Sequence, residues 1–282
     1  MLRSRRVRTH AFVGKIGGMR VSTAIRGVLA AALIATVAAA CGTSVIRPDG
    51  TTTGAPGAAA PAARPVPPDP AVGAVFVGAG WLHICSAAVL DSRAGDLILT
   101  AAHCLAGGID ATFVAGFSDD AADDDVWQVD AVYLDQRWIQ DQDPRADFAI
   151  ARVSRDAGGT VRSHAGHGLT LGRSPKPGAV VTVTGYEFGF GGGPVSCTGT
   201  TADEAGGFPS LPCGGLAAGL SGAPWIVGAT ITGIVGGLHG GGCDESVSYS
   251  PPFDDSVAKL MARAEAGGSS DDAPTVFEDD CD

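Results

Sequence analysis

The chain of 282 residues is short of charge: Asp, Glu, Lys and Arg make up 17% of it, against roughly a quarter in an average globular protein. That excludes a coiled coil or a long solvated helix, both of which need dense Glu, Lys and Arg. Positive charge is scarcer still, with 19 Lys and Arg against 30 Asp and Glu and a net charge of −11. No nucleic-acid partner is expected, because general affinity for nucleic acid comes from basic residues that displace phosphate counterions. The seven cysteines contain no C-x-x-C spacing, which argues against zinc; neither a metal nor a cofactor is expected. No fixed-period repeat occurs. The Gly189-to-Gly193 run, GFGGG, lacks the following Lys-Ser/Thr of a phosphate loop and reads as a hairpin. What the chain does have is 42 Gly and 17 Pro in a sequence that is 45% apolar. That is enough for a core, and it favours many short strands joined by tight turns.

No apolar run is long enough to span a bilayer comfortably. The best, Gly27 to Ala40, has fourteen uncharged residues and follows seven basic and no acidic ones. A basic n-region, a short apolar region and small residues before a cut describe an export signal over 1–40. The n-region is long, so Met19 is an alternative start. Arg5-Arg6 lies too far from the apolar region for a twin-arginine signal. The AAAC that ends at Cys41 resembles a bacterial lipobox, although Ala38 stands where Leu is usual, and this resemblance implies lipidation of Cys41. The alternative is simple cleavage near Ala40. Without residues 1–40 the charge becomes −18, with 12 Lys/Arg against 30 Asp/Glu. Residues 41–70 are rich in Pro, Ala and Gly without apolar periodicity and read as an extended spacer.

Folded sequence is expected over 71–266. Six short apolar stretches between 71 and 155 (AVGAVFVGAG, HICSAAVL, DLILTAAH, ATFVAGF, VWQVDAVYL, DFAIARV) are bounded by Gly, Asp, Ser or Pro and read as antiparallel strands. A second set over 178–253 (AVVTVTGYE, PVSCTGT, APWIVG, TITGIVGGL, VSYS) follows a crossover at 155–177. The spacing of Val257, Leu260, Met261 and Ala264 predicts one helix over 255–266, with Asp254 or Asp255 as its N-cap and Gly267 as its stop. Residues 267–282 form an acidic tail containing Cys281.

Three segments carry chemistry. LTAAHC at 99–104 ends a strand on a His, DFAI at 147–150 opens a strand on an Asp, and GLSGAP at 219–224 flanks a Ser with glycines. A serine nucleophile needs a general base, and the base needs a third group to fix its tautomer. Glycines beside the Ser let backbone N–H groups approach a substrate oxyanion. In this order, and with HIC at 83–85, the sequence resembles the chymotrypsin-like (trypsin family) serine proteases over roughly 72–266. The likeness is greatest to secreted actinobacterial members, on the ending IVGGL…GG…SYSPPF. The resemblance implies an all-β fold of two six-stranded antiparallel Greek-key barrels with a C-terminal helix. It makes His103 the general base, Asp147 its orienter and Ser221 the nucleophile, with the N–H groups of Gly219 and Ser221 as the oxyanion hole. It also implies a Cys85–Cys104 disulfide and a structural role for His83. Asp141 and Asp143 lie close by, but only Asp147 directly precedes the strand.

Two residues depart from the family's Gly-Asp-Ser-Gly-Gly-Pro. Leu220 replaces the Asp that pairs with a new N-terminus in activatable members, and no Arg-Ile-Val-Gly-Gly start occurs near residue 71. Ala223 replaces a Gly and adds a methyl group near the nucleophile. By position, Gly215, Val235, Gly236 and Gly237 are expected to line the substrate pocket. Gly215 stands where trypsin-like members carry the Asp that binds Lys or Arg, so a small or apolar P1 side chain is expected. If Cys41 is lipidated, six cysteines remain. Beyond Cys85–Cys104, three pairings of the other four are open, and Cys197–Cys213 with Cys243–Cys281 is favoured over pairings such as Cys213–Cys243. Asp119, Asp120 and Asp123 to Asp125 are read as a solvated loop rather than a calcium site, and His164 and His167 as loop residues.

The expected function is an exported, lipid-anchored or secreted serine endopeptidase, monomeric, with polypeptide substrates and membrane contact only through the N-terminal lipid. The alternative is a weakened or inactive surface binding module on the same fold. An α/β-hydrolase esterase is disfavoured because its nucleophile would precede the Asp and His.

Overall fold

All six apolar stretches between residues 71 and 154 become strands of one closed antiparallel barrel in the computed structural model. It describes residues 60–78, 80–106, 110–203, 206–278 and 281. The expected export signal 1–40, Cys41 and the spacer up to residue 59 lie outside these residues. Val72–Val77 pairs with Leu82–Val89 on one side and Ala111–Ala115 on the other. The ladder continues through Val126–Leu134 and Ala149–Ser154 to Leu97–Thr100. It then returns to its start, with Ala88 opposite Leu99 and Val89 opposite Ile98. The barrel interior holds Val75, Val89, Ile98, Phe113, Trp127 and Val132, all buried. Leu99, Tyr133 and Ile150 share the outer face, where the Tyr133 hydroxyl donates to Gly268 O. These strands read as near-continuous apolar runs because most of their side chains meet protein on both faces.

The second half is built from two sheets. Arg64–Pro65, Val195–Thr200, Val180–Gly185, Pro224–Val227, Thr230–Ile234 and Thr170–Leu171 form one in that order, antiparallel except for the last pair. Ala202–Asp203, Pro209–Pro212 and Val247–Tyr249 form the other. The two are joined by the Gly236 N–H donating to Tyr249 O at 3.1 Å and by the Cys197–Cys213 disulfide. The ladder breaks here because Pro209 and Pro212 have no N–H to donate. A second apolar core, including Val181, Val183, Leu211, Leu216, Leu220, Trp225 and Val235, fills the space between.

The C-terminal helix spans Asp255–Glu265. Asp254 is its N-cap and accepts from Ser256 N at 2.7 Å, and Val257, Leu260 and Ala264 are buried against the first barrel. Two further helices, Gln136–Asp141 and Val161–Ala165, were not expected. At six and five residues they are too short to show a helical period. The second of them, with Thr170–Leu171, gives the 155–177 crossover local structure.

The boundary of the spacer needs correction. Residues 61–66 belong to the folded unit and not to a spacer ending at 70. Gly214 N donates to Pro61 O (2.8 Å), Ala63 N to Gly214 O (2.7 Å) and Val66 N to Pro194 O (3.0 Å). Arg64 lies opposite Ser196. Proline-rich chain is already extended, so its carbonyls and remaining N–H groups fit a strand edge, which composition alone does not reveal. The acidic tail is likewise packed: Asp271 N donates to Val132 O at 2.8 Å.

Candidate active site

Each of the three chemical segments sits where a strand gives way to a turn. His103 lies in one 3-10 turn, Ala102–Leu105, directly after Leu97–Thr100. A disulfide from Cys104 to Cys85 ties this turn to the Leu82–Val89 strand. Asp147 follows the turn Pro144–Ala146, in which Asp143 caps Arg145 N at 2.9 Å, and precedes Ala149–Ser154. These elements bring His103 Nδ1 to 2.8 Å from Asp147 Oδ2, and the His103 backbone N–H donates to Oδ1 at 3.0 Å. A third donor, Gly237 N, reaches Oδ2 at 2.8 Å. Asp147 is wholly buried, whereas the His103 side chain is 10% exposed. With both oxygens accepting from backbone N–H groups, those of His103 and Gly237, the carboxylate presents an acceptor to the ring. The imidazole therefore carries its proton on Nδ1 and leaves Nε2 free to accept another.

Ser221 sits in a turn held by both halves of the protein. Its carbonyl accepts from Ser86 N of the first barrel at 2.8 Å, and Gly222 N donates to Val235 O at 2.7 Å. Two glycines are required here. Gly219 has φ +94°, and a Cβ there would lie 2.0 Å from Phe188 N. Gly222 has φ +80°, and a Cβ there would lie 2.2 Å from both Ser86 O and Thr100 Oγ1. Gly222→Ala is expected to cost about 3 kcal/mol or more through overpacking and a strained left-handed backbone. A denaturation midpoint equal to that of the wild type would contradict this. Among the described residues, neither the Gly219 nor the Ser221 N–H donates to a protein acceptor. Ser86, which the sequence does not single out, organises the turn. Its hydroxyl donates to Gly219 O (3.2 Å) and accepts from Tyr186 N (2.8 Å), and Thr100 Oγ1 donates to its carbonyl (2.7 Å).

The two departures from the family motif are absorbed into packing. Leu220 is buried in the second core. The Ala223 methyl points at Gly185, where a Cβ would come within 2.6 Å of it, so the facing strand supplies the missing side chain's room.

His103 and Ser221 open on a common cleft of about 430 Å³, and no direct hydrogen bond joins them. Of the four expected pocket residues, only Val235 lines this cleft. Gly215, with φ +75° and its N–H bonded to Glu245 O, faces Ala63 of the 61–66 segment. Gly236 packs beside Asp147 and Ala101. Gly237 gives its N–H to Asp147 and borders a neighbouring hollow. The walls are instead Leu216, Ala217, Ala218 and the Gly240–Gly242 bend, with exposed His239 and Glu245 at the rim. Phe277, from the C-terminal tail, is also part of the wall. The one hint of its role in the sequence is that it is an aromatic residue in an acidic tail, four positions before a cysteine.

The other sequence features separate from the site. Disulfides join Cys197 to Cys213 and Cys243 to Cys281. His83 is buried among Phe76, Phe117 and Tyr186, with Nε2 2.9 Å from Gly191 O. His164 and His167 turn to different carboxylates, Asp125 and Asp69. Asp119 Oδ1 accepts from Gly192 N at 3.1 Å. Among the described residues the one metal-like cluster is Cys85, His103 and Cys104, whose thiols are consumed in a disulfide.

No curated protein matches the chain. Solved structures similar to it include the protease Anisep from Arthrobacter nicotinovorans, 22% identical with a TM-score of 0.63 over 73% of this chain and 100% of that one. A thermostable serine protease, AL20, from an extremophilic microorganism is also 22% identical, with a TM-score of 0.61 over 71% of this chain and 99% of that one. Human heparin binding protein shares the fold at 16% identity and a TM-score of 0.60, over 75% of this chain and 99% of its own. The trypsin-like peptidase domain family matches residues 85–236, more than half of the sequence. The chain therefore belongs to the trypsin-like peptidases, serine-type hydrolases of polypeptides on the chymotrypsin-like fold.

Proposed function

We propose that the protein is an exported serine endopeptidase that works through Ser221, His103 and Asp147. The observation that carries this reading is a buried carboxylate holding the Nδ1 side of an imidazole that shares a cleft with Ser221. Ser221 Oγ attacks the scissile carbonyl while His103 Nε2 takes its proton. The C–N bond breaks as the imidazolium returns that proton to the leaving amine, and water then hydrolyses the acyl-enzyme by the same route. The unpaired N–H groups of Gly219 and Ser221 suit an oxyanion. Leu216, Ala217, Ala218 and Val235 on the cleft wall favour a small or apolar P1 side chain.

Three disulfides fit an oxidising, extracytoplasmic compartment. Among the described residues no helix is long and apolar enough to cross a membrane. We assign residues 1–40 to export and Cys41 to lipidation, and we begin the monomeric peptidase domain near residue 60. The alternative, an inactive binding module, rested on Ala223. Nothing in the site favours it, since that methyl packs on Gly185 and does not line the cleft.

A fluorophosphonate probe is expected to label the folded protein at Ser221 and to leave Ser221→Ala unlabelled. Absence of labelling, or labelling that survives Ser221→Ala, would sink the proposal.

A further inference from the structure

The cleft has one wall that comes from the end of the chain. After the C-terminal helix, Asp271 is held by Arg263 and accepts from Leu134 N at 2.8 Å, which anchors the tail to the first barrel. Further on, Gln142 Nε2 donates to Val276 O at 2.6 Å. The next residue, Phe277, lies flat on the imidazole of His103, with ring centroids 4.6 Å apart and planes 16° from parallel. Buried Trp138 backs the same ring at 5.6 Å. Cys281 is then bonded to Cys243 of the second half, and both cysteines line the cleft with His103 and Ser221. The tail is thus fastened on either side of Phe277. Its ring also separates the cleft from a second hollow of about 440 Å³, bordered by Gln142, Pro144, Gly237 and Val276.

We infer that Phe277 is a specificity-determining residue, an aromatic wall that selects a small apolar side chain at the substrate residue adjoining the scissile one. The inference rests on the peptidase reading above. His103 Nε2 must reach both Ser221 Oγ and the leaving nitrogen, so a productive peptide lays the stretch beside its scissile bond against the imidazole. A side chain directed there meets Phe277. The ring has no hydrogen-bonding group, so a charged side chain placed against it loses its hydration without a new partner. A bulky one collides with a ring that cannot retreat, because Trp138 stands behind it and the disulfide limits the tail. Phe277 is a wall and not a plug. The cleft remains open beside it, and Ser221 keeps partial exposure.

The test uses the full-length protein and a peptide panel that varies each residue flanking the cleaved bond. Separately from the small or apolar preference expected at P1 itself, wild type is expected to prefer small apolar residues at a position next to P1. Phe277→Ala should reduce that preference over charged or bulky residues by about tenfold in kcat/KM, chiefly through KM, while Phe277→Leu keeps most of it. The double variant Cys243→Ser/Cys281→Ser should broaden the preference in the same way. Calorimetric binding of the same peptides to Ser221→Ala, with and without Phe277→Ala, should show the same shift without catalysis. Unchanged preferences in Phe277→Ala would overturn the inference. So would an equal rise in kcat/KM for every peptide, which would mark the tail as a plug, or no peptide binding to Ser221→Ala. If Ser221 resists the fluorophosphonate, the peptidase reading fails on its own. The binding measurements still decide the wall: a preference lost with Phe277 supports it and an unaltered one refutes it.

Discussion

His103→Ala is expected to lower kcat on a peptide substrate by about 10⁵ to 10⁶, with the fold retained. The loss is large because nothing else in the cleft can take the Ser221 proton: exposed His239 and Glu245 stand at the rim, away from the Asp147 pairing that fixes the tautomer. Survival of the fold follows from how Asp147 is held. Removing the imidazole takes away the Nδ1 donor, but the backbone N–H of residue 103 and that of Gly237 still reach the carboxylate, at 3.0 and 2.8 Å in the wild type. The stability cost should therefore stay near that of one lost hydrogen bond to a charged group, about 1.5–3 kcal/mol, plus the stacking partner of Phe277. Combining His103→Ala with Ser221→Ala should reduce kcat no further than either change alone, since the two groups act as a unit. A residual rate within a hundredfold of wild type would remove His103 from the mechanism.

Asp147→Asn should lower kcat by about 10⁴, again in folded protein. The side chain keeps its shape, yet its chemistry reverses on one oxygen. All three neighbours of the carboxylate are donors, and an amide offers one acceptor oxygen and one NH₂ group. Whichever way the amide turns, its NH₂ faces N–H groups that previously had an acceptor. If it faces the ring, it can be accommodated only by an imidazole whose Nδ1 is unprotonated. Nε2 then carries the proton and cannot accept one from Ser221. If the oxygen faces the ring instead, Gly237 N keeps its acceptor but the NH₂ replaces Oδ1. The backbone N–H of His103 is then left without a partner, which costs about 1–3 kcal/mol. Steady-state kinetics with circular dichroism separate the two effects. A loss smaller than tenfold would mean that Asp147 does not set the tautomer.

The sequence made the first barrel legible because its strands are apolar on both faces and each is closed off by Gly, Asp, Ser or Pro. Leu97–Thr100 and Ala149–Ser154 stand out in this way, and the chemical residues sit at their ends. Pro209–Pro212 was not legible: two of its four residues are prolines, and it pairs as a strand because Ala202–Asp203 and Val247–Tyr249 lie on either side of it. His103, Asp147 and Ser221 each sit in a local motif, so the sequence singles them out before any contact is known. Gly215 was misplaced on the cleft because position relative to Ser221 does not reveal that the 61–66 segment comes to cover it. Ser86 and Phe277 carry no motif at all. Their places depend on contacts 133 and 174 residues away in sequence, Ser86 with Gly219 and Phe277 with His103, and such pairings leave no local pattern. Ala223 looked like a defect in isolation and is matched by Gly185, on a strand that the motif does not include.

The short Arg64–Pro65 strand bears on how the protein behaves in company. A sheet ends in a row of unpaired donors and acceptors that any extended chain can join, which is the usual route to edge-to-edge aggregation. Here the exposed side of Val195–Thr200 is covered at Arg64 and Pro65, opposite Ser196 and Val195. Pro65 has no N–H to offer outward, and neither do Pro67 and Pro68, which follow it. The proline-rich stretch is thus a guard rail on the sheet: it occupies the rim with backbone that cannot recruit a further strand.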